Sequence, residues 1–282
     1  HIDFNSTNFE KGETLDAFIK GTVENWEREN GYAANTDYDY GKRFAELLAY
    51  VHKTTGKRSV VLIDEYDKPL LDVMDSGLRM KDANGNEMQI EEYNRGILKG
   101  FYSTFKAADA HLQFVLLTGV TKFSQGVFSG FNQPKDISMN DTYEALCGIT
   151  TEELQRMFAT PMAEMAKVYE VTAEEMFQML RAQYDGYHFS SGMKDVFNPF
   201  SLLNAFSDKR LDNYWFSTGT PTYLIRLLQH NQENLNDLTG KYYRPADFVD
   251  YKADVENPLA MIYQSGYLTI KGYNRLPNHQ GL

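Results

Sequence analysis

One cysteine, Cys147, stands alone among 282 residues, so no internal disulfide can form, and the chain fits a reducing, cytoplasmic setting. Its neighbours, Leu146 and Gly148, suggest a small buried hydrophobe rather than a nucleophile. Long apolar runs are also missing. Runs such as 60–63 and 114–117 fall far below the roughly 18 residues that suggest a membrane span. The opening His1-Ile2-Asp3-Phe4 carries no basic n-region, so neither a span nor a signal peptide is expected. Positive charge is in deficit, with 28 Lys and Arg against 39 Asp and Glu and a formal charge of −11. Such a balance repels nucleic acid on average. The six histidines stand at no metal-ligand spacing with one another or with Cys147, and no structural zinc is expected.

What is present is ample for a packed core, with 42% hydrophobic residues. After a short extended start at 1–4, Leu15, Phe18, Ile19, Val23 and Trp26 recur at helical steps, as do Phe44, Leu47, Leu48 and Val51. A continuous β-branched run at 59–63 predicts a strand covered on both faces of a parallel sheet. A helix on Ile90, Tyr93, Ile97, Phe101 and Phe105 leads to a second apolar strand at 114–118, and 136–139 is a weaker third candidate. Alternating strands and helices predict an α/β, doubly wound parallel sheet over 1–150. Its ligand rim lies at the carboxyl ends of the strands, which places Asp64 and Glu65 beside Thr118 and Gly119.

From 151 to 282 the pattern turns mainly helical. Thr150 with Glu153 and Thr172 with Glu175 read as capping boxes. Asn198-Pro199, Thr220-Pro221 and Asn257-Pro258 each place a cap before a proline suited to the first helical turn. The stretch 184–197 reads as an irregular loop or hairpin, and 267–271 as a strand.

The most informative segment is Ser-Val-Val-Leu-Ile-Asp-Glu-Tyr-Asp at 59–67, an apolar strand ending in acids. A rigid strand end can present Asp64 to a hydrated Mg²⁺, while Glu65 polarises a water for attack on a γ-phosphate. Thr118, ending the second strand, would act as a sensor of that water or phosphate. The plainer reading is a helix cap, since Asp64 or Asp67 before Lys68-Pro69-Leu70-Leu71 would serve. A phosphate cradle is missing: Gly-Lys-Arg at 41–43 and 56–58 lacks the spacing and the Ser or Thr of G-x-x-x-x-G-K-[ST].

The segments Val-Leu-Ile-Asp-Glu-Tyr-Asp-Lys-Pro-Leu (61–70), Leu-Thr-Gly-Val-Thr-Lys-Phe-Ser (117–124), Tyr-Asp-Gly-Tyr (184–187), Val-Phe-Asn-Pro (196–199) and Tyr-Trp-Phe-Ser-Thr-Gly-Thr-Pro (214–221) together resemble the predicted AAA-ATPase-like domain of bacterial proteins. The resemblance covers roughly residues 1–275. It implies an incomplete P-loop NTPase-like sheet followed by a helical or winged-helix-like segment, using ATP and Mg²⁺. Within it Asp64 matches the metal acid, Glu65 the catalytic base, Thr118 the first sensor and Lys122 a phosphate contact. It also implies a Walker A loop upstream of His1, and in many relatives a PD-(D/E)xK nuclease-like domain downstream, through which alone nucleic acid would be a partner. The chain is accordingly expected to be a fragment that is inactive alone, and poorly soluble or dependent on its missing N-terminus. The alternative is a degenerate P-loop scaffold that binds a protein partner without hydrolysis. Nuclease chemistry is not expected here, because Asp250-Tyr251-Lys252 leaves no room for a hairpin after Asp247. The aromatics at 123–131, 184–189 and 214–216 are expected to pack cores rather than stack on bases. Arg95, Arg181, Arg210 and Arg226 are expected in surface ion pairs.

Overall fold

The computed structural model describes residues 1–82, 84–122, 127, 134–217, 224–226, 228, 238–249, 258–276 and 279–281. The chain divides into two compact units, each assembled from separate stretches. One comprises His1–Pro134, Thr222–Glu233 and Asp250–Met261; the other comprises Lys135–Pro221, Asn234–Val249 and Ile262–Leu282. The break after Pro134 falls ahead of the sequence-based boundary near 150.

The first unit begins with β1 (Ile2–Asp3), α1 (Thr14–Glu29) and α2 (Tyr40–Thr55), followed by β2 (Ser59–Asp64) and a short α3 (Lys68–Leu71). A hairpin of β3 (Arg79–Lys81) and β4 (Glu87–Gln89) precedes α4 (Ile90–Ala107) and β5 (Leu112–Leu117). In the hairpin's turn, Asp82 Oδ1 accepts from the amides of Asn84 and Asn86. Strands β1, β2 and β5 form a parallel sheet in that order. The fold is therefore α/β, as the alternation of patterns predicts.

Leu15, Ile19 and Val23 of α1 and Phe44, Leu47 and Leu48 of α2 are buried. Phe44 also stacks on Phe101 of α4 at 5.5 Å between ring centroids. Within this layer Arg43 and Glu27 are buried together, with Arg43 Nε 3.0 Å from Glu27 Oε1 and a second bond at 2.5 Å. A bidentate geometry of this kind is what a buried charge pair requires to offset its lost hydration.

The expectation that 59–63 is covered on both faces is not met. Val61 and Ile63 are buried, but Val60 and Leu62 are 54% and 39% exposed, and Phe114, which pairs in register with Val60, is 53% exposed. Side chains alternate across a strand, so packing on one face buries only every second residue. An all-apolar sequence does not reveal which face that is.

In the second unit, helices α5 (Thr151–Met157), α6 (Ala159–Val168), α7 (Ala173–Tyr184) and α8 (Pro199–Asp208) enclose a core that includes Leu154, Met165, Met176, Leu180, Phe197 and Leu202. Both predicted capping boxes form, and Asn198 caps α8 by accepting from the Ser201 amide. Thr220, Pro221 and Asn257 lie outside the described residues, as do Asp250, Tyr251 and Lys252 and most of 123–131. The loop at 184–197 is irregular, held by an isolated bridge between Tyr187 and Val196. Its aromatics pack as expected, with Tyr187 stacked on Tyr263 at 6.2 Å.

Three local expectations fail. Residues 136–139 and 267–271 are not strands; the C-terminal hairpin pairs Asn274–Leu276 with His279–Gly281 instead. Cys147 is exposed. The chain approaches its neighbour at the next residue, Gly148, where an added Cβ would stand 2.4 Å from Val196 Cβ. That backbone contact leaves Cys147 in the solvent-facing turn.

Candidate functional site

Parallel pairing brings the carboxyl ends of β2 and β5 side by side, because Ile63 lies opposite Leu117. The next residue of β5's chain, Thr118, continues the ladder by donating its amide to Ile63 O at 2.8 Å. Its hydroxyl donates to Asp64 Oδ1 at 2.5 Å. The same carboxylate oxygen accepts the Glu65 amide at 3.1 Å. Asp64 is exposed, and both of these donors use one of its oxygens, Oδ1. One exposed carboxylate beside a hydroxyl is a hard oxygen donor set, suited to a Mg²⁺ that retains most of its water. Among the described residues no cluster of three or more His, Cys, Asp or Glu could hold a metal directly.

Glu65 follows with φ +53, a left-handed conformation that costs a non-glycine residue about 1 kcal/mol or more. The chain thereby turns sharply off the strand. Burial raises the Glu65 carboxyl above its ordinary value, and the charges of Asp67 and Asp64 push it the same way, with Lys68 opposing. A carboxylate so raised is a better proton acceptor.

The helix-cap reading of the acids can be examined directly. Asp67 does occupy the N-cap position of α3, yet its side chain makes no cap bond. Instead Asp67 Oδ2 accepts the Thr121 amide at 2.5 Å and the Thr121 hydroxyl at 2.8 Å. Tyr66 reinforces the contact, donating its hydroxyl to Thr121 O at 2.6 Å and its amide to Thr118 O at 3.0 Å. Gly119 is required there by space: a Cβ would lie 2.4 Å from Asp67 Oδ1 and 2.7 Å from Tyr66 Cδ1. Burial pushes the Asp67 carboxyl up to about 6, against the opposing pull of the Thr121 hydrogen bonds.

Of the residues singled out from sequence, Asp64, Glu65 and Thr118 thus converge. Lys122 is half-buried at the end of the same turn. Tyr66, Asp67, Gly119 and Thr121 were not identified as a group. Their signal was the two motifs themselves, Asp-Glu-Tyr-Asp and Thr-Gly-Val-Thr, read as strand ends and not as two halves of one contact. The expected arginine pairings hold where described: Arg95 bonds Glu91, Arg181 bonds Asp185 and Arg210 bonds Asp212. Arg226 pairs with Glu10 at 3.8 Å and also donates to the carbonyls of Asp72 and Met74.

Residues 1–128, which contain both strand ends, match the family model described as Predicted AAA-ATPase. Over this segment the chain is similar to the AAA-ATPase-like family. The chain is also 35% identical over 244 residues to a protein of Azotobacter chroococcum mcd 1 described as an uncharacterized protein in the vnfD 5' region. That match takes in 86% of this chain and 43% of the relative, so the chain spans less than half of the relative's length. No solved structure matches. No helix among the described residues is long and apolar enough to cross a membrane.

Proposed function

We propose that this chain carries the Walker B and sensor portion of an ATP-hydrolysing protein, with the phosphate cradle supplied by sequence outside it. The observation that carries the reading is the hydrogen bond from Thr118 to Asp64 across adjacent parallel strand ends, with Glu65 next in the chain. A bound Mg²⁺, held through water at Asp64, would neutralise phosphate charge. Glu65 orients a water and accepts its proton as the water oxygen bonds to the γ-phosphorus and the bond to the β-phosphate oxygen breaks. Thr118 holds Asp64 in one orientation and offers its hydroxyl oxygen to the same water or phosphate. Lys122 contributes positive charge to the phosphates. The two carboxylates have different tasks because their environments differ: Asp64 is exposed, whereas Glu65 is half-buried with its carboxyl raised.

The test is ATP turnover and nucleotide binding by the full-length natural protein and its Glu65→Gln variant. Turnover should fall by about 10²-fold or more while binding persists, as for loss of a water-activating base. Equal turnover in the two proteins would remove Glu65 from the role of base. Absence of both binding and turnover in the unaltered protein would favour a degenerate scaffold.

A further inference from the structure

We propose that Asp67 is a positioning residue, whose buried carboxylate holds the turn at 118–121 so that the Thr118 hydroxyl meets Asp64. The proposal rests on the hydrolytic reading above and extends it to a residue that touches neither nucleotide nor water.

Asp67 is 0% exposed. Full burial of a carboxylate is costly unless its oxygens are well bonded. Among the described residues Oδ2 is satisfied by the two Thr121 donors, while Oδ1 has no hydrogen-bond partner. An acid that neither caps its own helix nor fills both of its acceptors is poorly explained as a stabilising device. It is well explained as a clamp. The two donors it binds belong to one residue of the opposing turn, and a carboxylate binds such a pair more strongly than a neutral acceptor does.

The clamp works at both ends of the turn. Thr118 is fixed by the Tyr66 amide on its carbonyl, and Thr121 by Asp67 on its amide and hydroxyl and by the Tyr66 hydroxyl on its carbonyl. Between them, Gly119 lets the backbone approach to a distance that any side chain would prevent. Residues 64–67 and 118–121 therefore move as one body. Release of Thr121 frees the peptide that follows Thr118, and the Thr118 side chain loses its defined direction toward Asp64.

The experiment uses the full-length protein with Asp67→Asn, Thr121→Val and Thr121→Ser, with Glu65→Gln as the control for hydrolysis. Asp67→Asn and Thr121→Val should lower kcat by about tenfold with KM for ATP within about twofold, as expected when a reacting geometry loosens without loss of binding contacts. Thr121→Ser, which restores the hydroxyl, should return kcat to within about twofold of the parent. Unchanged kcat in Thr121→Val, with Glu65→Gln slowed, overturns the proposal while leaving the hydrolytic site intact. If Asp67→Asn fails to fold, the Val and Ser pair at 121 decides. If Glu65→Gln itself is not slowed, the hydrolytic reading fails, and amide hydrogen exchange at Thr118 then decides the positioning claim: faster exchange in Thr121→Val supports it, and unchanged exchange overturns it.

Discussion

The Thr118 hydroxyl donates to the Asp64 carboxylate at 2.5 Å, although the two residues are 54 positions apart in the chain. Asp64 ends β2 and Thr118 directly follows β5, and parallel pairing sets them side by side. The acid proposed to hold the metal and the hydroxyl proposed as sensor are thereby joined.

Thr118→Val keeps the shape of the side chain and removes its hydroxyl. Asp64 then loses its cross-strand donor, and a hydrogen bond to a charged group is worth about 1.5–3 kcal/mol. In the full-length protein, ATP turnover should drop about 10-fold or more, with a smaller effect for Thr118→Ser. Steady-state kinetics on the two variants checks this; a loss in Thr118→Ser with none in Thr118→Val would mean that the methyl group, not the hydroxyl, matters.

Gly119→Ala should be among the most damaging single-methyl additions in the chain. The new Cβ would meet Asp67 Oδ1 at 2.4 Å and Tyr66 at 2.7 Å, and overpacking of this kind costs about 1–3 kcal/mol. Urea or thermal unfolding measures the loss. Gly100→Ala, where nothing lies within 4 Å of the added Cβ, is the matched control and should be neutral or stabilising.

Glu65→Gly separates stability from activity. Glu65 holds φ +53, which glycine adopts freely, so the substitution should raise stability by about 0.5–1 kcal/mol after the entropy of the freer unfolded chain is counted. Turnover should be lost at the same time. A lower unfolding midpoint would show that Glu65 contacts outweigh its backbone strain.

Asp67 gives a pH dependence whose sign follows from its raised carboxyl, at about 6 in the fold against an ordinary 3.8. Between those values the folded protein binds the proton that the unfolded chain has released. Stability from this group is therefore greatest below about pH 4 and declines as pH rises toward 6, by on the order of 2–3 kcal/mol in total. Asp67→Asn should remove that decline. The check is the difference between the two unfolding curves from pH 4 to 7, in which carboxylates not coupled to Asp67 cancel while Glu65, which feels the Asp67 charge, does not; parallel curves would mean that Asp67 does not titrate in this window.

The elements of the first unit were legible because they follow simple periods. Three- and four-residue apolar spacing marked α1, α2 and α4, and short apolar runs marked β2 and β5. Caps were equally readable, since Thr150, Thr172 and Asn198 bond amides only three positions away. The strand faces were not. Val60, Val61, Leu62 and Ile63 are alike in sequence and unlike in exposure, because burial depends on what packs against a face and not on the strand itself.

That Asp64, Glu65 and Thr118 share one rim could be read from the sequence, since parallel strands that end in acid or hydroxyl fix where their polar groups emerge. The role of Asp67 could not. Beside Lys68 and Pro69 it reads as a helix cap, and only the fold brings Thr121 to it and presses Gly119 against its free oxygen. Sequence sets the chemistry available within a few residues, whereas contacts across 54 positions depend on strand register, which only the packed sheet determines.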